Sequence, residues 1–223
     1  MLIANHSTHE RNRARPILMK LSLCFLSLIV LAVPARADEA GFEPLFSGGN
    51  LDGWEGNTEI FRIEDGAIVG GTLKAPIARN EFLCTKTDYG DFELRLKFKV
   101  LGDGANAGVQ FRSRRIPNHH EVKGYQADLG DGWWGSLYDE SRRNKILVAA
   151  DLKAVDRVLK RGEWNDYTIR CQGPRIQLWI NDLQTVDYTE PDAGIEQTGL
   201  IGLQIHGGKP SEAWYKDIRI KKL

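Results

Sequence analysis

A strict two-residue alternation over residues 92–100 constrains the fold of this chain more than any other feature. Apolar side chains at Phe92, Leu94, Leu96, Phe98 and Val100 alternate with the charged side chains of Glu93, Arg95, Lys97 and Lys99. Successive side chains of a strand point to opposite faces, whereas a helix repeats about every 3.6 residues. The pattern therefore predicts a β-strand with one buried and one solvated face.

Shorter strand patterns recur on both sides of this stretch, each bounded by turn residues. Residues 60–63 and 67–70 flank an Asp-Gly turn, and residues 167–171 and 175–180 flank a Gly-Pro turn. Only residues 151–159 are typical of a short helix. About a dozen short strands with few helical segments predict an all-β fold, in which two antiparallel sheets pack face to face as a β-sandwich.

The first 37 residues have the layout of a secretory signal peptide. A basic stretch with Arg11, Arg13 and Arg15 precedes an apolar run at residues 21–33, and Ala35 and Ala37 supply the small residues of a cleavage site. The run is shorter than the roughly 20 residues of a membrane span. We therefore predict cleavage after Ala37, a secreted or periplasmic location, and a single mature domain over residues 38–223.

Charge and cysteine content narrow the classes of partner and the redox chemistry. Lys and Arg number 30, as do Asp and Glu, and the leader carries more basic than acidic residues, so the mature domain is slightly acidic. This balance argues against a nucleic-acid partner. No second apolar run of membrane length exists, so no membrane insertion is expected after cleavage. Cys84 and Cys171 could form a disulfide or remain two buried thiols, and the sequence leaves both open.

Three predicted strands differ from ordinary solvent-facing strands because they carry planar, directional hydrogen-bonding groups on one face. With a period of two, these groups are Gln110, Arg112 and Arg114, then Gln126 and Asp128, then Gln204 and His206. Such side chains on a rigid sheet suit the hydroxyl groups of a sugar. The alternative is a solvated sheet surface.

A long segment between Leu129 and Trp164 contains Trp133, Trp134 and Tyr138. A loop of this length is uncommon and is often functional. Its aromatic rings could supply the apolar surface for a sugar ring, or they could cover an open edge of the core. Together with the polar strands they predict a carbohydrate site on the concave face of one sheet.

Acid and base groups near these strands are Asp128, Asp139, Glu140 and His206. A glycosidase needs two such groups in register. Two other motifs do not indicate a functional site. The glycine-rich segment 102–108 joins two strands and lacks the helix N-terminus of a phosphate loop. His119, His120 and Glu121 are interpreted as a solvated loop.

Six segments in order resemble the 3-keto-disaccharide hydrolase domain family, and they cover essentially the whole mature chain. They are residues 41–54, 88–99, 106–112 (Asn-Ala-Gly-Val-Gln-Phe-Arg), 124–128 (Gly-Tyr-Gln-Ala-Asp), 162–167, and 202–207 followed by 216–220. The chain departs from the family pattern at Ala107 and Ala127, which bears on the size of the ligand.

The resemblance implies a concanavalin A-like β-sandwich, or jelly roll, that acts on glycosides already oxidised at C3 by a partner oxidoreductase. It implies Glu140, His206 and Asp128 as catalytic candidates, and Glu140 or His206 as base or acid. The substrate-binding candidates are Gln110, Arg112, Gln126, Gln204, Trp133, Trp134 and Tyr138. Some members use a divalent metal ion, and the metal site here is unknown, with His206, Glu140 and Asp128 as the available ligands.

Two functions follow from this reading. One is a secreted hydrolase or lyase-type glycosidase that cleaves 3-keto-glycosides. The other is a non-catalytic, lectin-like carbohydrate-binding module, because lectins share the sandwich fold. Convergence of at least two of Asp128, Glu140 and His206 in one cleft would favour the enzyme.

Overall fold

The computed structural model describes Met1, Leu2 and residues 40–223. The predicted signal peptide, residues 1–37, lies outside the described residues apart from Met1 and Leu2, so it stays a prediction. Within the described ranges, no helix combines the length and apolar character needed to cross a membrane.

The described residues form fifteen strands and one short helix. In chain order these are β1 (Glu43–Pro44), β2 (Trp54–Glu55), β3 (Phe61–Glu64), β4 (Ala67–Thr72), β5 (Glu81–Thr85), β6 (Phe92–Leu101), β7 (Asn106–Arg115), β8 (Val122–Gly130), β9 (Leu137–Glu140), β10 (Lys145–Val148), α1 (Leu152–Val155), β11 (Asn165–Gln172), β12 (Arg175–Ile180), β13 (Leu183–Thr189), β14 (Leu200–Ile205) and β15 (Ser211–Lys222).

The strands form two antiparallel sheets. The eight-stranded sheet has the order β13-β12-β11-β6-β15-β4-β3, with β1 paired to β15, and the seven-stranded sheet has the order β10-β9-β8-β7-β14-β5-β2. Two antiparallel sheets around a shared apolar core confirm the predicted β-sandwich.

Strand β6 shows how the sequence alternation becomes the core. Phe92, Leu94, Leu96 and Phe98 are buried, whereas the charged residues between them stay partly exposed. Phe92 meets Phe111 of the other sheet edge to face, with ring centroids 6.5 Å apart. Burial of such side chains from water is the main stabilising contribution, and it leaves the outer face of each sheet free for other functions.

The segment between Leu129 and Trp164 is more regular than the predicted loop. It contains β9, β10 and α1, so the irregular part next to β8 is only residues 131–136. Helix α1 begins after Asp151, whose side chain caps the backbone N–H groups of Lys153 and Ala154. The sequence pattern does not predict β9, because Asp139 and Glu140 place a polar side chain on each face of the strand.

The two cysteines of the described domain are both free and buried. Cys84 lies on β5 of the seven-stranded sheet and Cys171 on β11 of the eight-stranded sheet. The buried-thiol alternative is therefore the one that the fold adopts.

Candidate functional site

A cavity of about 190 Å³ opens on the outer face of the seven-stranded sheet. Tyr125, Ala127 and Leu129 of β8 pack into the core, so the residues between them, Gln126 and Asp128, project from the opposite face. The cavity is lined by Asn80, Asn106, Gln126, Asp128, Trp133, Tyr138, Glu140 and His206. Its size is on the scale of a single sugar ring.

Strand pairing brings these residues together from distant parts of the sequence. Gln126 pairs with Tyr138 of β9 on one side and with Gln110 of β7 on the other. In the next row, Gly108 of β7 lies between Asp128 and Gln204. The catalytic candidates therefore share one sheet and one cavity, which sequence alone could not establish.

Gly108 makes the floor of the cavity possible. A Cβ atom there would lie 2.6 Å from Cδ and 2.7 Å from Cγ of Gln126. Real contacts do not come this close, so any larger residue would displace the Gln126 side chain. The glycine thus lets Gln126 lie across β7 and reach its hydrogen-bond partners.

Gln110 and Gln204 are fully buried and form the layer beneath the cavity instead of lining it. Gln110 Nε2 donates to Gln126 Oε1 at 2.6 Å, and Gln204 Nε2 lies 3.4 Å from Glu140 Oε2. Oε1 of Gln204 has no partner among the described residues. The structure therefore places these two predicted substrate-binding residues in support of the lining carboxyl groups.

Asp128 is a carboxyl group held close to its ionisation point at neutral pH. It is 5 % exposed, and burial raises its pKa to about 7 because the charged form is poorly solvated. The hydrogen bond from Gln126 Nε2, 2.7 Å from Oδ1, favours the ionised form, whereas the charge of Glu140 disfavours it.

Glu140 behaves in the same way for similar reasons. Burial raises its pKa to about 7, and the negative charge of Glu121 adds to the effect, while the backbone N–H of Ser141 and the amide of Gln204 oppose it. The charge of Glu140 makes a smaller contribution than burial to the raised pKa of Asp128. Near neutral pH each of the two carboxyl groups can therefore act as an acid or as a base.

His206 follows directly after β14 and is exposed at the cavity. Its backbone N–H donates to the oxygen of Asn106 at 3.0 Å. Ring atom Nδ1 lies 2.7 Å from the oxygen of Gly207, and a carbonyl oxygen can only accept, so Nδ1 carries the proton. Nε2 of a neutral His206 is then an available acceptor.

The two adjacent tryptophans have different roles. Trp133 is 40 % exposed and lines the cavity with Tyr138, as expected for a sugar platform. Trp134 is buried: its ring stacks on Phe98, and Nε1 donates to Asp131. Trp134, which the sequence predicts as a substrate-binding residue, packs against the core and does not line this cavity.

Arg112, which the sequence predicts as a clamp on the sugar, does not line the cavity. Its side chain is 1 % exposed and donates to the backbone oxygens of Gly90 and Gly173 and to Oδ1 of Asp91. The register shifts between Phe111 and Arg114, and Arg112 has a φ of 46°. This β-bulge breaks the two-residue alternation and turns Arg112 away from the face of Gln110.

Three residues at or beside the cavity are not among the predicted site residues. Asn80 and Asn106 line the cavity, and Glu121 lies close enough to raise the pKa of Glu140. Asn106 shares the face of Gln110 by simple alternation, so the sequence did contain its signal. Asn80 precedes its strand and has no such signal. Glu121 is not a solvated loop residue: its side chain is 15 % exposed and accepts a hydrogen bond from Asn80.

A metal ion is implied for some members of the family that the sequence resembles. Among the described residues, no group of three or more His, Cys, Asp and Glu is arranged to hold one. Asp128 is additionally committed through Oδ1 to Gln126. The combination of His206, Glu140 and Asp128 therefore does not fit a metal site.

Comparison with known proteins agrees with the fold. A family model described as the 3-keto-alpha-glucoside-1,2-lyase-like domain matches residues 41–221. Among curated proteins, none matches the sequence.

Similar solved structures include a protein assigned as a glycosyl hydrolase from Parabacteroides distasonis ATCC 8503, with 20% identity and a TM-score of 0.64 over 82% of this chain and 94% of that one. Carbohydrate binding module CBM66 from Bacillus subtilis has 13% identity and a TM-score of 0.59 over 76% and 96% of the two chains. The β-glucanase of Bacillus licheniformis has 13% identity and a TM-score of 0.52 over 82% and 97%. At these identities the likeness shows the jelly-roll fold alone.

Proposed function

The chain belongs to the 3-keto-alpha-glucoside-1,2-lyase-like domain family, and from that membership we propose that it cleaves 3-keto-glycosides at the cavity of the seven-stranded sheet. The observation that carries this proposal is the pair of carboxyl groups, Asp128 and Glu140. Both line one cavity, and both have a pKa raised to about 7. Perturbed acids in a cleft are typical of catalytic groups.

The chemistry needs one base and one acid at adjacent carbon atoms. A ketone at C3 acidifies the proton on C2, so a carboxylate can remove that proton and form an enolate. The enolate reforms the ketone as its electrons make the C1–C2 double bond, and the C1–O bond breaks. The departing oxygen takes a proton from the second, protonated carboxyl group. Addition of water to the double bond gives net hydrolysis.

Asp128 and Glu140 suit these two roles because burial raises the pKa of both carboxyl groups to about 7, so that either can release or accept a proton near neutral pH. His206 offers Nε2 as a further proton acceptor at the same cavity. Asn106 provides a side-chain amide at the cavity wall that can donate to the enolate oxygen. The indole of Trp133 and the ring of Tyr138 supply the apolar surface for the sugar.

The substrate of such a reaction must be prepared by an oxidation at C3, so we propose that a partner oxidoreductase acts first. We also propose that the domain works outside the cytoplasm after removal of residues 1–37. The basic stretch, the apolar run and the Ala35/Ala37 pair support this location.

A non-catalytic carbohydrate-binding module is the second candidate. The observation that favours it is the exposed ring of Trp133, beside a cavity that fits about one sugar ring. Similarity in fold to module CBM66 is compatible with this role. A binding module would need the aromatic platform but would not need two carboxyl groups with a pKa near neutrality, such as Asp128 and Glu140.

Incubation with a 3-keto-disaccharide and with its unoxidised parent, each with and without chelator, tests the proposal. We expect turnover of the keto substrate alone, and loss of at least about 100-fold in kcat for Glu140→Gln. The matched control is Glu163→Gln, an exposed carboxylate outside the cavity. Binding of both sugars without turnover would contradict the enzyme hypothesis and favour the binding module. Turnover of the parent sugar would indicate an ordinary glycosidase.

A further inference from the structure

Beneath the cavity, four polar side chains form a continuous hydrogen-bonded chain that ends at Asp128. Ser113 Oγ lies 2.8 Å from Gln110 Oε1, Gln110 Nε2 lies 2.6 Å from Gln126 Oε1, and Gln126 Nε2 lies 2.7 Å from Asp128 Oδ1. All four residues are at most 5 % exposed. Because each of these side chains has a protein partner, the hydrogen-bonded chain is continuous without a bridging water.

The chain has one direction. An amide has one accepting and one donating end, so the orientation of Gln126 determines that of Gln110. The carboxylate of Asp128 requires the Nε2 end of Gln126, and the hydroxyl of Ser113 supplies the donor that Gln110 Oε1 then needs. Ser113 Oγ also lies 3.0 Å from the oxygen of Phe111, which competes with Gln110 Oε1 for the single proton of the hydroxyl. The carboxylate of Asp128 therefore sets the direction of the chain, and the shorter contact of Ser113 with Gln110 Oε1 agrees with it.

The direction assigns different roles to the two oxygens of Asp128. Oδ1 faces an N–H donor, so it cannot carry the acidic proton while the chain is intact. Oδ2 is left for exchange of the proton. The other titratable groups around Asp128 are Glu140 and Tyr138 of β9, His206 at the end of β14, and Tyr167, whose hydroxyl approaches the backbone oxygen of Asp128 from the core at 3.4 Å.

We propose that Gln126, Gln110 and Ser113 are positioning residues, which hold Asp128 with Oδ1 as acceptor and Oδ2 as the oxygen that exchanges its proton with the ligand. Gln110 and Ser113 act only through Gln126, because neither lines the cavity. The identity of the ligand rests on the proposed function, whereas the hydrogen-bond chain does not.

A double-mutant cycle on the isolated, ligand-free protein tests this coupling. The carboxyl carbon of Asp128 is titrated by NMR in the wild type, Gln126→Met, Gln110→Met and the double variant. Gln126→Met removes the donor to Oδ1. Gln110→Met releases Gln126, which can then turn its oxygen toward a protonated Asp128. We expect each single change to raise the pKa of Asp128 by about one unit or less, and Gln110→Met to add nothing in the Gln126→Met background.

Ser113→Ala provides a milder variant that removes one hydroxyl, and Gln172→Met on the other sheet is the matched control. Ser113→Ala should raise the pKa of Asp128 by a smaller amount and speed hydrogen exchange of the Gln126 side-chain amide. The control should change neither. The proposal would be overturned if the pKa of Asp128 were unchanged in folded Gln110→Met or Ser113→Ala. It would also be overturned if Gln110→Met shifted this pKa as much in the Gln126→Met background as in the wild type.

No substrate enters this experiment. If the keto-sugar assay fails while the cycle shows coupling, the positioning chain stands and the proposed function does not. If the cycle shows no coupling while the keto sugar is cleaved, the proposed function stands and the positioning chain does not.

Discussion

The hydroxyl of Tyr215, on the eight-stranded sheet, donates a hydrogen bond of 2.6 Å to the backbone oxygen of Gln204 on the seven-stranded sheet. The same hydroxyl lies 3.2 Å from the oxygen of Gly108, the neighbouring residue at the cavity floor. A buried side chain of one sheet thus holds two adjacent strands of the site from below. The core connects to the cavity through this contact.

Tyr215→Phe should destabilise the fold by about 1–3 kcal/mol, because two buried backbone oxygens lose a shared donor. We expect Tyr167→Phe to cost less, since its hydroxyl lies 3.4 Å from the oxygen of Asp128. Urea unfolding of the two variants measures the difference. Equal losses would mean that the Tyr215 hydroxyl does not hold the site strands.

Asp128→Asn should change how stability depends on pH. In the wild type, the folded state keeps the proton of Asp128 up to about pH 7, whereas the unfolded chain loses it near 3.8. The folded state binds more protons in this interval, so the free energy of unfolding falls as pH rises through it. Asparagine cannot ionise, so the variant should gain on the order of 2–4 kcal/mol relative to wild type between pH 4 and pH 8.

Urea unfolding across this pH range measures the gain, with Asp103→Asn as the control. Asp103 is exposed and does not line the cavity, and its side chain pairs with Lys209. Stability curves of Asp128→Asn that run parallel to the wild type would show that Asp128 is ionised well below neutral pH.

Glu121→Gln should lower the pKa of Glu140. The charge of Glu121 disfavours ionisation of Glu140, so removing it makes the carboxylate form easier to reach. In an NMR titration, the midpoint for the carboxyl carbon of Glu140 should move to lower pH. The limb of the pH profile of kcat/KM that reports ionisation of Glu140 should move by the same amount. Glu163→Gln adds the same chemical change at an exposed position and should leave both curves in place.

His206→Ala should abolish cleavage while leaving the thermal transition nearly intact. The imidazole is exposed, and within the described part of the chain its ring forms a hydrogen bond with the adjacent Gly207. We expect Tm to move by no more than about 2 °C, since exposed changes stay within roughly 0.5 kcal/mol. A large fall in Tm would instead make His206 a structural residue.

Arg112→Met should impair folding without a specific effect on sugar binding. Its guanidinium satisfies two backbone oxygens and Asp91 at one end of the sandwich, away from the cavity. The loss should be about 2–4 kcal/mol, compared with little change for Arg170→Met on the exposed face of β11. A raised KM in a stably folded Arg112→Met variant would instead indicate that Arg112 contributes to sugar binding.

Much of the site could be predicted because alternation is a local property. A period of two already separates Gln126 and Asp128 from Tyr125, Ala127 and Leu129, and the structure places them as expected. Where one residue interrupts the period, the prediction fails. The bulge at Arg112 is such a place: a positive φ and a shift in pairing depend on the neighbouring strands, which a single sequence does not display.

The sequence by itself thus determined part of the sandwich: the strands, their buried faces, and the residue types suited to a sugar. Tertiary structure decided which of those residues meet. The order β9-β8-β7-β14 places Glu140, Asp128 and His206 around one cavity, although His206 is far from the other two in the sequence. It also decided their chemistry, because burial and neighbouring charges set the pKa of a carboxyl group, and both arise only when distant strands pack together.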